Sequence, residues 1–243
     1  MAVLIGATNV MDNLIAGSST LSEGNTTENK GFLVDYSITP SHRWTTTAAG
    51  YMSLVWSGSS KIDYVALVVY GLESGDVVEV ENIIQSYTYG TATVGDSVVI
   101  YIPFPVSFTL DRLRVNLPRA CSVAHVHCGK MFEAGKILDG DFVKPKWAIK
   151  RDRLSRPKSG GNFLPQRIRS IIHEFSVPVD IIDEIDIQTS WPAIVEHIRL
   201  KPFILLWDDQ IIEPIYAWTT STPKVSWSNY TFMRTILECQ GIQ

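Results

Sequence analysis

The segment Lys61–Leu72, KIDYVALVVYGL, constrains this chain more than any other. From Tyr64 to Tyr70 it holds seven consecutive apolar or aromatic residues, three of them valine. The run is far shorter than the roughly twenty apolar residues that a membrane-crossing helix needs. Its β-branched content favours a strand. Side chains alternate across a strand, so a run apolar at every position has both faces covered. The chain must therefore supply a central strand and a layer on each side of it.

Short apolar or β-branched runs around it supply the neighbours. FLVDYSI (32–38), RWTTTA (43–48), YMSLVW (51–56), VVEVENI (77–83), SVVIYIPF (97–104) and SFTLDRLRVNL (107–117) are bounded by Gly, Pro, Ser or Asp. The tetrad ESGD, 73–76, predicts a turn after the central strand. In 107–117, Leu113, Val115 and Leu117 share one parity with Thr109 and Asp111, while Arg112 and Arg114 take the other, as in a half-buried strand. SVAHVHCGKMF, 122–132, closes this half. About eight strands before residue 129 and no long helical pattern predict a two-sheet sandwich or jelly roll over residues 1–130.

Residues 131–243 read as a second, mostly β domain. Strand material runs over 167–182, interrupted by Pro178, and over 202–209, 211–220 and 230–240, with WDDQ as a turn. One helix is predicted over 190–200. Ser190 stands at its N-cap, Pro192 in its first turn, Ile194, Val195 and Ile198 form a stripe, and Pro202 stops it. The expected fold class is mainly β: an N-terminal β-sandwich of jelly-roll type and a C-terminal, mostly β domain with one short helix.

Charged residues make up 19% of the 243 and the net charge is −4, which suits a protein that buries surface in an assembly and argues against a dedicated nucleic-acid binder. Three cysteines, Cys121, Cys128 and Cys239, are not a disulfide framework and point to a reducing compartment. The opening residues, MAVLIGATNVMDNLIAG, lack a basic stretch and read as a strand or arm rather than a signal peptide. No membrane-spanning segment is expected.

Candidate sites are few. GxSxG, CxxC, HExxH, GxGxxG and P-loop patterns are all missing, so catalysis is not expected, and no cofactor is implied. His125 and His127 fall on one side of their strand with Cys128 on the other. They are weak metal candidates that would need help from Cys121, His42 or Asp139. The acids Asp180, Asp183, Glu184 and Asp186 lack the spacing of a calcium loop. Trp44, Trp56, Tyr87 and Tyr89 are candidates for stacking on a sugar ring or for a protein interface, with core aromatics as the plain alternative. Between residues 144 and 169 stand Lys144, Lys146, Lys150, Arg151, Arg153, Arg156, Lys158, Arg167 and Arg169 against one acid, Asp152. Such a segment contacts either a polyanion or the acidic face of a neighbouring subunit. The chain's net acidity and the lack of interleaved aromatics favour the subunit.

The order of IDYVALVVYGL, SFTLDRLRVNL and HVHCGK resembles a discoidin or galactose-binding-like jelly roll. GKILDGDF, SRPKSGGNFLPQRI, the helix before KPFILLWDD and the closing TFMRTILECQ resemble tail-associated virion proteins of tailed bacteriophages and prophages. What that resemblance implies is a structural component of a phage tail: a tail tip, collar or fibre-attachment adaptor. It would be made in the host cytoplasm and located in the virion. Its partners would be other tail proteins, copies of itself in a homo-oligomer, and tail fibres. The alternative is a carbohydrate-binding module recognising a host surface glycan, and a second is a glycan-active enzyme.

Overall fold

The structure is a computed structural model. It describes residues 2–10, 36, 43–82, 87–137, 149–154, 167–181, 189–208, 212–227 and 233–243, with backbone alone for 149–154, 167–171 and 181. The expected loop at 18–30, the polar loop at 156–162 and all of the expected strand at 32–38 except Tyr36 lie outside these residues.

The architecture is mainly β, in two sheets with one short helix. The six-stranded sheet runs in the order β2 (Trp44–Thr46), β7 (Cys121–Gly129), β3 (Gly50–Tyr70), β6 (Val99–Leu117), β4 (Val77–Glu81), β5 (Thr88–Thr93). β3 and β6 are each one long strand, where the sequence predicts two. Ser57–Ser60 does not end the strand. It bends it, with Gly58 at φ +77°, and register shifts fall between Val55 and Ser60 and between Ile62 and Tyr64. The first half of the β3–β6 pair joins Gly50–Val55 to Arg112–Leu117 and carries β4. The second pairs Tyr64–Val68 with Val99–Pro103 and carries β7. The sheet thus folds over itself into a two-layer sandwich around Met52, Leu54, Val65, Leu67, Val80 and Val115.

The second register shift has a consequence for β3. Before it, even positions (Met52, Leu54, Trp56, Ile62) face the sandwich core; after it, odd positions (Val65, Leu67, Val69) do. Tyr64, Ala66 and Val68 are turned to the opposite face, where they are also buried. The sequence expectation of a strand covered on both sides holds at each of these positions.

The eight-stranded sheet runs β13 (Val225–Trp227), β14 (Met233–Ile242), β12 (Ile215–Thr219), β11 (Phe203–Leu206), β1 (Ala2–Gly6), β8 (Phe132–Lys136), β10 (Arg167–Ile181), β9 (Ile149–Leu154). β10 also pairs with β14 from His173 to Ile181, so six of these strands close into a barrel-like ring. β10 runs through Pro178, which the sequence reads as an interruption. On the side away from β14 its pairing with β9 ends at His173 and β8 meets it only at Asp180, so a residue without an N–H is accommodated there. Ala2–Gly6 sits in this sheet, although the sequence groups it with residues 1–130.

The helix α1 (Trp191–Leu200) lies where it is predicted, with Pro in its first turn. Ser190 at the N-cap makes no side-chain cap bond. Trp191, Ile194 and Ile198 join Val3, Ile5, Phe175, Val177, Phe203 and Leu205 in the barrel core.

A third cluster joins the two sheets. Tyr64, Ala66, Val68, Val99, Tyr101 and Ala124 of the sandwich pack against Ile204, Leu206, Tyr216 and Ile242 of the barrel. β11 is consequently buried at all four positions. The chain crosses between the sheets at residues 7–10. There the Asn9 amide donates to Val126 O (3.1 Å) and its oxygen accepts from Cys128 N (3.0 Å), so one side chain caps the edge of β7 beyond the reach of β2.

Candidate functional site

Two places gather polar or aromatic side chains in an arrangement that core packing alone does not require. The first is the end of the sandwich where β5 meets the bend of β6. Tyr87 is 50% exposed and is the one aromatic among the exposed large apolar residues of the described chain. Its ring meets Tyr89 (centroids 5.6 Å apart) and Phe108 (6.0 Å) edge-on. Tyr89 packs in turn on Phe104 and Phe108, so Tyr87 stands on a buttress of three rings. Edge-to-face pairs hold a ring's orientation more firmly than an aliphatic bed does. Val106, 59% exposed, extends the apolar surface along β6.

Hydrogen-bonding groups lie on the strands beside this ring cluster. The Asn82 amide donates to the Tyr89 hydroxyl at 2.7 Å, and the Asn82 N–H donates to Tyr87 O at 2.7 Å. Thr88 donates to Glu79 at 2.6 Å. Arg112 donates through Nε and Nη2 to both oxygens of Asp111, each at 3.0 Å, and this pair is nearly half exposed. The Arg112 hydrogen bonds hold the Asp111 carboxyl below the usual carboxylate range. Burial pushes the Tyr89 hydroxyl up, and the charge of nearby Asp111 adds to this, so Tyr89 is a neutral O–H at physiological pH.

Of the four aromatic candidates in the sequence, the structure therefore keeps one at the surface. Trp44 (0% exposed), Trp56 (2%) and Tyr89 (4%) are corrected to core residues. The reason is strand parity: Trp44 pairs opposite Val123, and Trp56 follows Met52 and Leu54 on the inward face of β3. The signal for Tyr87 was its place beside Gly90, which lies so close to Pro103 O that a Cβ there would meet it at 2.6 Å. β5, absent from the sequence reading, owes its approach to β6 to that glycine.

The second place is the sheet junction. His125 and His127 are 1% and 0% exposed and face the barrel, while Cys128 faces the sandwich core. A register shift between Val68 and Val69 leaves Ala124 without a partner on β3 and sets this arrangement. Tyr64 Oη and His127 Nδ1 are 2.7 Å apart. The His125 ring lies 4.9 Å from Tyr36 and 5.1 Å from Tyr216. Desolvation, with the charges of His125 and His197, pushes His127 well below the ordinary imidazole range. Among the described residues no group of three His, Cys, Asp or Glu is placed to hold a metal. His42 and Asp139 lie outside those residues. Cys121 and Cys239 are buried, with thiols pushed up to about 12, and Cys128 is pushed higher still, so all three serve as apolar side chains.

Of the basic candidates, Lys144, Lys146, Arg156 and Lys158 lie outside the described residues. Lys150, Arg151 and Arg153 fall on β9, and Arg167 and Arg169 on β10, which pair as an antiparallel ribbon extending the barrel. Of the acids at 180–186, Asp180 is buried, with an oxygen 3.8 Å from Arg234 Nε; the others lie outside the described residues.

No family model matches the sequence, and no curated protein matches it. Solved structures do. Chitosan-binding module 1 from a chitosanase/glucanase of Paenibacillus sp. IK-5 is 21% identical, with a TM-score of 0.38 over 51% of this chain and 99% of the module. The family 32 carbohydrate-binding module of Streptococcus pneumoniae EndoD is 11% identical, with a TM-score of 0.42 over 51% of this chain and all of the module. The family 32 module of Clostridium perfringens NanJ, solved with galactose, is 10% identical, with a TM-score of 0.40 over 54% and 99%. The β-sandwich resembles carbohydrate-binding modules.

The expectation of a phage-tail assembly protein, with its viral tail-protein assignments, is corrected: the three similar structures are carbohydrate-binding modules. The low charge content that favoured an assembly has a use inside the chain, where β3 and β11 are buried on both faces against each other's sheets. No helix of the described residues is long and apolar enough to cross a membrane.

Proposed function

We propose that this chain is a non-catalytic glycan-binding module whose site is the sandwich end around Tyr87. The observation that carries the reading is the half-exposed Tyr87 ring, held edge-on by Tyr89 and Phe108, with Asp111 close enough to act on Tyr89 electrostatically. A pyranose ring presents an apolar C–H face and a rim of hydroxyls, and such a ligand needs a fixed apolar platform with a few placed polar groups. Tyr87 supplies the platform. Asp111, ionised and fixed by Arg112, accepts from sugar hydroxyls; the remaining Arg112 N–H groups donate to them. The chitosan and galactose of the similar modules belong to those proteins; here the class is a hydroxyl-rich glycan of a cell surface.

A glycan array followed by calorimetry on the best ligand tests the reading. The intact chain is expected to bind at least one surface polysaccharide. Tyr87→Ala is expected to weaken that binding at least about tenfold, roughly 1.4 kcal/mol, with an unchanged circular dichroism spectrum. An array blank for the intact chain, or full binding by the variant, removes the proposal. Trp44→Ala is unsuitable as a probe, because it empties the core.

A further inference from the structure

We propose that the junction between sandwich and barrel is an acid-sensitive latch, closed by neutral His127 and opened when it takes up a proton. The inference is independent of the glycan reading and rests on where the two imidazoles lie.

The two sheets meet across a layer that differs from either core. Among the described residues the fully buried histidines are His125 and His127, and the junction holds both. The junction places two imidazoles among tyrosines. His127 is held from β3 by the Tyr64 hydroxyl, at 2.7 Å, and Tyr64 stacks between His127 (5.9 Å) and Tyr101 of β6 (5.4 Å). The same hydroxyl sits directly over Gly6 of β1, in contact with the place a Cβ would occupy. The Tyr64 hydroxyl therefore touches both the imidazole of the sandwich and the barrel strand β1.

Among the described residues, the following groups face the pair. β3 brings Tyr64 and, beside it, Asp63, which accepts from Met131 N at 2.9 Å. β6 brings Tyr101, and β12 brings Tyr216 onto the His125 ring. Tyr36 also packs on His125, with Lys201 Nζ 5.5 Å from the Tyr36 ring. α1 brings His197, close enough to act on His127 electrostatically. On β7, Cys128 is turned to the other face; β1 and β11 present Gly6, Ile204 and Leu206, which do not titrate. The charges that act on His127 are thus those of other histidines, which oppose a proton rather than welcome it. Among the described residues its Nε2 has no hydrogen-bond partner, so an imidazolium there keeps one N–H bare in an apolar layer.

Acid therefore acts on this layer first. Each buried neutral histidine that must charge makes opening about tenfold more favourable per pH unit below its ordinary value near 6.5. Separation of the sheets rehydrates the His127 ring without emptying the sandwich core or the barrel core, so it relieves the charge at less cost than unfolding either.

Hydroxyl-radical footprinting of the full chain, read as side-chain labelling from pH 7.5 to 4.5, tests the latch, because separating the two faces exposes side chains while each sheet keeps its own backbone ladder. Tyr64, Tyr101, Leu206 and Tyr216, on the joined faces, are expected to gain labelling by about tenfold per pH unit below pH 6.5. Trp56 of the sandwich core and Phe203 of the barrel core are expected to stay protected. In His127→Gln the pH dependence at the junction should be lost. His127→Phe, which fills the same space without titrating, should lose it likewise and decides the matter if the first variant does not fold. Junction labelling unchanged to pH 4.5, a common rise in labelling at the junction and in both cores, or a wild-type pH dependence in the folded variant would each overturn the proposal.

Discussion

The two faces of β3 bury side chains equally well and in different chemistry. On the sandwich side Val65, Leu67 and Val69 meet Val80, Val115 and Val123. On the barrel side, one residue along, Tyr64, Ala66 and Val68 meet Ile204, Leu206 and Tyr216, with His125 and His127 in the same layer. An aliphatic face is indifferent to pH and intolerant of lost volume. A face holding phenols and imidazoles is held by hydrogen bonds that titration alters. The difference separates what keeps each unit folded from what keeps the two together.

The sharpest way to break this comparison is to empty the aliphatic side. Trp56→Ala removes a side chain 2% exposed in the sandwich core and is expected to cost about 3–5 kcal/mol, read from urea unfolding. If the sandwich and barrel are separable, the loss falls on sandwich strands in hydrogen exchange and spares β10 and β14. Equal loss in both would make the junction part of one cooperative core.

A substitution aimed at the barrel side should cost less and fall elsewhere. Gly6→Ala puts a methyl group where the Tyr64 hydroxyl lies, so the phenol must leave His127 or β1 must shift. Overpacking of this kind costs about 1–3 kcal/mol. Adding Tyr64→Phe to Gly6→Ala is expected to recover part of the loss, because the oxygen is what the methyl group meets. No recovery would place the strain in the backbone.

How much of this was legible in the sequence follows the same division. The covered strand at 64–70, the turn at 73–76, the half-buried alternation at 113–117 and the helix at 191–200 were all readable, because each is set by a local pattern of period 2 or 3.6. The turn is closed by Asp76 N to Glu73 O at 3.0 Å, with Gly75 at φ +96°, as the residues ESGD demand. What was not readable depends on residues distant in the chain. Trp44 and Trp56 look alike whether they face a core or a ligand until the partner strand is known. Nothing local says that Ala2–Gly6 crosses to pair with β8 and β11, or that Asn9 then caps β7. The histidine pair carried a partial signal: two polar rings at alternate positions of an otherwise apolar strand require a covering layer able to accept them, but not which layer.

The pH dependence of stability sharpens the comparison in solution. His127 is pushed well below the ordinary imidazole range in the folded chain. Its contribution is therefore fully present above about pH 6.5 and is lost as pH falls from there toward its folded value. The expected slope is about 1.4 kcal/mol per pH unit for each histidine that stays neutral when folded. Urea midpoints between pH 7.5 and 5 measure it. His127→Gln should flatten the curve by one proton, whereas Trp56→Ala should lower it without changing its slope. A Trp56→Ala curve with an altered slope would couple the two faces of β3 and break the division.

The smallest expected change in stability comes from the residue with the largest expected role in binding. Tyr87 stands outside both faces of β3, half exposed, with its ring edges on Tyr89 and Phe108. Tyr87→Ala is expected to alter stability by no more than about 1 kcal/mol, the worth of aromatic edge contacts at a wet surface. Tyr87→Phe should be neutral for stability and should keep glycan binding if the ring face is the platform. If binding instead falls as far in Tyr87→Phe as in Tyr87→Ala, the phenol oxygen is the recognising group and the stacking account is wrong. A stability loss of several kcal/mol in Tyr87→Ala would reclassify the ring as core, like Trp44 and Trp56, and leave Asp111 and Arg112 as the groups to test next. Arg112→Ala separates those cases, because the Asp111–Arg112 pair is exposed enough to add little to folding. A change in glycan affinity on its removal then reports contact with ligand rather than damage to the sandwich.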